Sequence, residues 1–168
     1  MSNPRRIINF RIATIEDLNA IVAIKSAVID ELFSQKATTS ALWRWKLEAC
    51  DHERIAERLK ETERNRFLIT PNVAVGSLIT LGDGVGEMNG FYVRTRHQGI
   101  GSAMLQYLEA AAPSLGCRIL VASTFGWNQD AQRVLAKHRY TPMSRTAEPR
   151  LSCWLLRYQK NLNSRSRP

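Results

Sequence analysis

The chain has 168 residues, of which 44% are hydrophobic and 23% charged, and it carries a formal net charge of +9. This length and composition are typical of a single globular domain, which we place over residues 1–160, with a disordered basic tail over residues 161–168. No apolar run is long enough to span a bilayer and the N-terminus lacks the apolar segment of a signal peptide, which predicts a cytoplasmic protein without membrane contact.

Cysteine and histidine are too few and too widely spaced to indicate a disulfide framework or a metal site. The chain has Cys50, Cys117, Cys153, His52, His97 and His138. No C-x-x-C pair occurs, so we expect no metal. The positive charge would attract polyanions, but the basic residues are scattered and no nucleic-acid motif is present, so nucleic acid is not the expected partner.

The first half of the chain alternates between strand and helix patterns. Thr14 and Asp17 form a capping box at the start of the first helix. Residues 36–40 break the helical pattern, and we interpret residues 34–51 as a loop. The predicted elements are a strand over 7–13, a helix over 14–35, a charged helix over 52–65, and strands over 66–70, 72–81 and 86–93.

The second half predicts two helices, each followed by strands. The elements are a helix from about 100 to 115 with Gly116 as its stop, a strand over 117–123, a helix from Asn128 to 138, and strands over 140–144 and 150–158. The strands on either side of the helix at 100–115 should run parallel. The predicted fold is α/β (α+β), a mixed and mostly antiparallel sheet of about six to seven strands with about four helices.

The stretch "FYVRTRHQGIGSAMLQYLEAA" passes from a strand through Gly99 and Gly101 into a helix. The first N–H groups of a helix have no partner within it and lie at the positive end of its dipole, and glycines allow an anion to approach them. The same letters also fit a tight turn that binds nothing. Gly82, Gly84 and Gly86 precede a strand instead, which indicates a hairpin turn.

The segment "RHQGIGSAML" fits the R/Q-x-x-G-x-G/A signature of the GNAT superfamily of N-acetyltransferases. The segments "FRIATIEDLNAI", "VAVGSLITL" and "NQDAQRVLAKHRY" resemble, in order, that family's first strand and helix, its strand with a central glycine, and its late helix. The resemblance implies a GNAT-like acyl-CoA N-acyltransferase fold. It also implies an enzyme that transfers the acetyl group of acetyl-CoA to a primary amine of a small molecule, peptide or protein, by direct attack in a ternary complex.

In that family the signature loop binds the pyrophosphate of coenzyme A, and the preceding strand binds the pantetheine arm and the thioester. Two alignments of the signature fit the sequence. In one, its first residue is Arg96, which agrees with the helix stop at Gly116; in the other, its first residue is Gln98 and its last is Ala103. Gly90 would allow a bulge in the strand. The residues implied at the coenzyme are Phe91, Tyr92, Val93, Arg96, His97, Gln98, Gly99, Ile100, Gly101, Ser102 and Asn128. Asn128 would also cap its helix.

An attacking alkyl amine, with a pKa near about 10.4, must first lose a proton. Glu87 stands where histone-type members of the family carry a catalytic Glu. The alternative is that Glu87 is an exposed strand residue without a catalytic role and that a water chain serves as the base. Many members carry a Tyr acid seven residues after the late Asn, but that position is Leu135 here. Tyr140 is a weak candidate for the acid and fits a core position better, so a catalytically weak acyl-CoA sensor stays an alternative.

The acceptor site in the family is built from the loop after the first helix and from the last hairpin, here residues 34–51 and 143–152. Trp43 and Trp45 either line that pocket or pack a loop on the core, and we favour the packing role. Acidic residues are few there, while Arg44 and Lys46 favour an acceptor that carries a carboxylate. The amine itself and the assembly, monomer or homodimer, stay open.

Overall fold

The computed structural model describes residues 9–33, 39–94 and 98–162. The strands of this part are β1 (Arg11–Ile12), β2 (Asn65–Thr70), β3 (Ala74–Gly82), β4 (Val85–Val93), β5 (Ile119–Phe125), β6 (Thr141–Glu148) and β7 (Cys153–Asn161). The α-helices are α1 (Leu18–Phe33), α2 (Thr39–Ala49), α3 (His52–Lys60), α4 (Ile100–Ala111) and α5 (Gln129–Lys137). Short 3-10 turns cover residues 15–17, 112–115 and 149–151.

The seven strands form one sheet in the order β1-β2-β3-β4-β5-β7-β6. Every neighbouring pair is antiparallel except β4 and β5, which run parallel because α4 crosses over between them. The predicted mixed sheet and its parallel pair are therefore confirmed. The described part contains five α-helices rather than about four.

The sheet separates two apolar cores, because successive side chains of a strand point to opposite faces. On β2, Phe67 and Ile69 enter one core, while Leu68 between them enters the other. The first core is closed by α1, α2 and α3 through Ile21, Ile24, Ala41, Ile55 and Leu59. The second core is closed by α4 and α5 through Met104, Leu105, Leu108 and Leu135.

The expected loop over residues 34–51 is wrong, since Thr39–Ala49 is the helix α2. Ala41, Trp45 and Ala49 recur every four residues and pack on the α1 side of the sheet, which gives this segment a helical apolar stripe. The predicted break at residues 36–40 lies mostly outside the described residues.

The final hairpin also differs from its prediction. Strand β6 continues to Glu148 through residues expected in a loop, and it is exposed along nearly its whole length at the edge of the sheet. An edge strand with polar side chains on both faces lacks the alternation that identifies strands in a sequence. Strand β7 extends to Asn161, which pairs with Ile119, so the predicted tail begins inside the sheet; residues 163–168 lie outside the described residues.

Other local predictions are confirmed. The Thr14 N–H donates to the Asp17 carboxylate over 2.9 Å, as the capping box requires. The glycine-rich turn joins β3 to β4 through Asp83 and Gly84 as a hairpin, and Gly116 ends the α4 region. Within the described ranges, no helix is both long and apolar enough to cross a bilayer.

Candidate active site

The parallel strands β4 and β5 separate about halfway along their length. They pair from Val85 with Ile119 to Met88 with Ala122, and beyond these residues β4 and β5 no longer pair with each other. Strand β4 keeps its partner β3 as far as Val93. The edge of β4 that faces β5 therefore has backbone hydrogen-bonding groups without a strand partner from Asn89 to Val93.

A β-bulge lies in this part of β4. Ser77 pairs with Asn89 and Val75 with Tyr92, so two steps on β3 oppose three on β4. Gly90 takes a left-handed φ of 63° within the bulge, a conformation that glycine adopts without steric cost. The extra residue reverses the side-chain alternation: Met88 enters the α4-side core, whereas Tyr92 enters the α1-side core. The expected role of Gly90 in a bulge is confirmed.

The turn into α4 presents a run of N–H groups at the start of the helix. Helix α4 begins at Ile100, directly after Gly99, and its first internal hydrogen bond runs from the Ala103 N–H to the Gly99 carbonyl over 2.9 Å. Among the described residues, the N–H groups from Gln98 to Ser102 have no backbone acceptor. The helix start after Gly99 supports the register with Arg96 first. Arg96 and His97 themselves lie outside the described residues.

The two glycines of this turn leave space above those N–H groups. Gly99 has a φ of 75°, and a Cβ placed there would meet no atom of the described residues within 4 Å. A Cβ at Gly101 would lie 4.0 Å from Val93 Cγ2. Packing within the chain therefore does not demand glycine at position 101. A cradle that a side chain would fill, lined with N–H donors at a helix N-terminus, fits a phosphate group.

Ser102 belongs to this turn and has a partner that the sequence analysis missed. Its Oγ lies 2.5 Å from Nε2 of His138, at the C-terminal end of α5. The His138 side chain is only 8% exposed. Burial lowers the pKa of His138, Glu109 acts to raise it, and Lys160 and Lys137 lower it further. No motif points to this residue because its partner lies 36 positions away.

Glu87 lies on β4 beside the point where the strands separate. It pairs with Ile79 of β3 and Val121 of β5, one residue before the last parallel pair, and its side chain is half-buried. Burial and the charge of Arg54 lower the pKa of Arg58, whereas the charge of Glu87 raises it. The Glu87 carboxylate is therefore near Arg58 of α3. The structure thus places Glu87 at the edge of the gap, on the α3 side of the sheet.

Tyr140 is placed in the core. It is 3% exposed, and Nζ of Lys160 lies 5.5 Å from its ring centroid. Burial and the neighbouring Glu109 raise its pKa. Glu109 belongs to the last turn of α4, at the opposite end from Gly99, so this geometry does not support Tyr140 as the acid. Leu135 is buried as well.

Asn128 caps α5, and its Oδ1 accepts from the Ala131 N–H over 3.2 Å. The capping role that the sequence predicted is therefore confirmed. Contact with a pantetheine arm stays a prediction.

The side of the gap that faces α1 and α2 is aromatic. Trp45 of α2 meets Phe125 at the end of β5 edge-on, with ring centroids 5.3 Å apart. Phe125 in turn stacks on Trp127 at 5.2 Å. Trp45 therefore packs on the core, as the sequence analysis favoured, while Trp43 is 64% exposed.

The acidic residues of this region are already engaged. Glu48 and Glu148 both bind Arg150, each over 2.8 Å. Asp51 caps α3 by accepting from the Arg54 N–H over 3.0 Å. Few carboxylates are therefore left for a cationic ligand.

The basic residues named from the sequence do not lie free in the gap. Lys46 pairs with Asp30 over 2.7 Å, and Arg44 is exposed. Lys25 of α1, which the sequence analysis did not single out, is closer to β4. It is 8% exposed and its Nζ donates to the Ala49 carbonyl over 3.1 Å. Burial lowers its pKa to about 8.

Within the described ranges, no group of three or more His, Cys, Asp or Glu side chains is arranged to hold a metal ion. The site offers N–H donors, the half-buried carboxylate of Glu87 and the cation of Lys25.

Comparison with known proteins gives a consistent family. Residues 27–140 match the model of the acetyltransferase (GNAT) family. The PaiA N-acetyltransferase of Thermoplasma acidophilum, solved in complex with coenzyme A, is 15% identical with a TM-score of 0.78, over 91% of this chain and 98% of that one. The yncA protein of Salmonella typhimurium, solved with its cofactor acetyl-CoA, is 14% identical with a TM-score of 0.72, over 97% and 98%. No curated protein sequence matches the chain.

Proposed function

The chain belongs to the GNAT acetyltransferase family, and we propose that it transfers the acetyl group of acetyl-CoA to a primary amine. The observation that carries the proposal is the turn from Gln98 to Ser102, whose N–H groups have no backbone acceptor among the described residues and which lies beside Val93 at the gap between β4 and β5. The turn binds an anion, and the adjacent gap offers backbone hydrogen-bonding groups to an extended chain. Coenzyme A has both an anionic diphosphate and an extended pantetheine arm.

The coenzyme would lie across both features. The N–H groups from Gln98 to Ser102 bind the diphosphate, at the positive end of the α4 dipole. The backbone groups from Phe91 to Val93 on the edge that faces β5 bind the pantetheine arm and donate to the thioester oxygen, where negative charge develops during attack. When bound, acetyl-CoA supplies an activated acyl group that an amine can attack directly.

Glu87 is the base in this proposal. It is half-buried at the point where β4 leaves β5, and it forms no ion pair within the described part of the chain. A carboxylate there accepts the amine proton directly or through one water. No acid is assigned, because a thiolate whose pKa is near about 8.5 leaves without one.

The acceptor in this proposal carries a negative group beside its amine. Burial lowers the pKa of Lys25, and the charges of Arg58 and Arg54 lower it further, so three cations share the α1 and α3 side of β4. Glu87 and Glu61 both lie near Arg58, whereas Glu48 and Glu148 are bound to Arg150. Such a field repels a polyamine and attracts an amino acid or a similar anionic amine.

The alternative is a sensor that binds acyl-CoA without turnover, which Leu135 in place of the family's Tyr favours. Thermal unfolding with acetyl-CoA, followed by a thiol-release assay on an amine panel, separates the two. A ligand at one hundred times its Kd adds about 2.7 kcal/mol of stability. We expect stabilisation together with thiol release on anionic amines. Stabilisation without release on any amine would favour the sensor, and no stabilisation would refute both.

Two variants locate the sites. Gly101→Val fills the cradle and should remove the stabilisation by acetyl-CoA. Arg58→Gln should raise the KM for an anionic acceptor without changing that for acetyl-CoA, whereas Arg64→Gln, which removes an exposed arginine ahead of β2, should change neither. An unchanged stabilisation in Gly101→Val would place the coenzyme elsewhere.

A further inference from the structure

The bond between Ser102 and His138 joins the proposed phosphate turn to a second helix. Ser102 is the third residue of α4 and belongs to the first turn, whose N–H groups have no backbone acceptor within the described part of the chain. His138 reaches it from the end of α5 with Nε2 2.5 Å from Oγ, a direct hydrogen bond. Because the histidine is buried, the ring has little freedom to leave this contact.

The direction of this bond decides what Ser102 can offer to a ligand. A hydroxyl has one hydrogen. If Nε2 accepts that hydrogen, none is left for an anion; if Nε2 carries a proton and donates to Oγ, the hydroxyl hydrogen is free. A diphosphate presents acceptors alone, so its binding selects the donating state of His138.

The charges around His138 are mixed and come from three elements. Glu109 faces it from α4, Lys137 from its own helix α5, and Lys160 from β7. A diphosphate at the α4 N-terminus adds negative charge on the far side of Ser102. That charge favours the imidazolium, which also donates from Nε2.

We propose that His138 is a positioning residue that turns the Ser102 hydroxyl toward the coenzyme diphosphate and takes up a proton when the coenzyme binds. The inference rests on the proposed function for the identity of the ligand. It goes beyond that function by making coenzyme affinity depend on pH through a residue that does not touch the reacting atoms.

The sign of the effect follows from linkage. Binding raises the pKa of His138, so the complex holds more protons than the free protein between the two pKa values. Affinity is therefore highest at low pH and falls as pH rises through the bound-state pKa. A rise of about one unit corresponds to a tenfold weaker Kd at the alkaline end.

The test uses dephospho-coenzyme A, because the 3′-phosphate of coenzyme A titrates near about pH 6 and would hide the effect. Its Kd is measured by calorimetry from about pH 5 to pH 8, the range in which histidine titrates, for the wild type and for the two variants His52→Gln and His138→Gln. We expect a Kd that weakens several-fold with pH in the wild type and in His52→Gln. In His138→Gln, whose amide still donates, the Kd should be nearly constant.

Proton NMR of the wild-type His138 ring, with and without the ligand, gives a second reading that needs no variant. A pKa that rises on binding is expected. An unchanged or lowered pKa, or a pH dependence that persists in His138→Gln, would overturn the inference while leaving coenzyme binding intact. Absence of any binding to the wild type would instead refute the proposed function.

Discussion

Nζ of Lys25 lies 5.4 Å from the ring centroid of Tyr92, so a buried cation of α1 contacts β4 beyond the point where β5 has left it. The same side chain approaches the bulge, since its Cε is 3.9 Å from the position that a Cβ of Gly90 would occupy. Lys25 therefore links α1 to the wall of the proposed acyl site. Its Nζ also donates to the carbonyl of Ala49, the last residue of α2.

Burial of Lys25 should make stability depend on pH. Its pKa falls from 10.5 to about 8 on folding, because burial penalises the charge. Between these values the unfolded chain binds more protons, so the free energy of unfolding rises with pH, by about 2 kcal/mol from pH 7.5 to pH 9.5 for this group. Urea unfolding at the two pH values measures the rise.

The variant Lys25→Met should lose that rise, whereas Lys60→Met, which removes an exposed lysine of α3, should keep it. An equal rise in all three proteins would show that Lys25 does not cause it. Other groups that titrate in this range contribute equally to each protein and cancel in the comparison.

Glu87→Gln should separate catalysis from binding. If the carboxylate takes the amine proton, the kcat falls by about 10²-fold or more while the KM for acetyl-CoA is unchanged. Steady-state thiol release over a range of pH measures both constants. The exposed Glu57 of α3 supplies the control, since Glu57→Gln removes a carboxylate from the same neighbourhood without touching β4. Equal rates for the two variants would assign the base to a water chain.

The features that the sequence predicted correctly have a local cause. The capping box at Thr14, the hairpin at Gly84 and the helix start after Gly99 each depend on residues a few positions apart. The parallel strand pair followed from a single crossover helix.

What the sequence missed depends on contacts between distant segments. Helix α2 was hidden because its stripe needs α1 to pack against, and His138 because Ser102 is 36 residues away. Tyr140 is not among these misses, because the sequence analysis favoured a core position for it and the structure buries it there.

Gly99 and Gly116 allow a matched test of the coenzyme turn. They flank the α4 region with φ values of 75° and 73°, and a Cβ at either would meet no atom of the described ranges within 4 Å. Alanine at either position should therefore cost a similar amount of stability, about 1 kcal/mol, for a left-handed residue. Only Gly99→Ala should weaken the Kd of coenzyme A, because its methyl group enters the cradle. Equal affinities of the two variants would contradict the proposed turn.

Gly90→Ala tests the bulge. Gly90 has a left-handed φ of 63° like Gly116, but a Cβ there would lie 3.3 Å from Cε2 of Tyr92, so the variant adds a tight contact to the same backbone strain. We expect a larger loss of unfolding free energy than in Gly116→Ala, about 1–3 kcal/mol. The kcat should fall further than the affinity for coenzyme A, because the bulge positions the thioester while the diphosphate is bound at α4. Urea unfolding and single-turnover thiol release measure the two effects. A rate equal to that of Gly116→Ala would show that the bulge shapes the strand without contributing to acyl transfer.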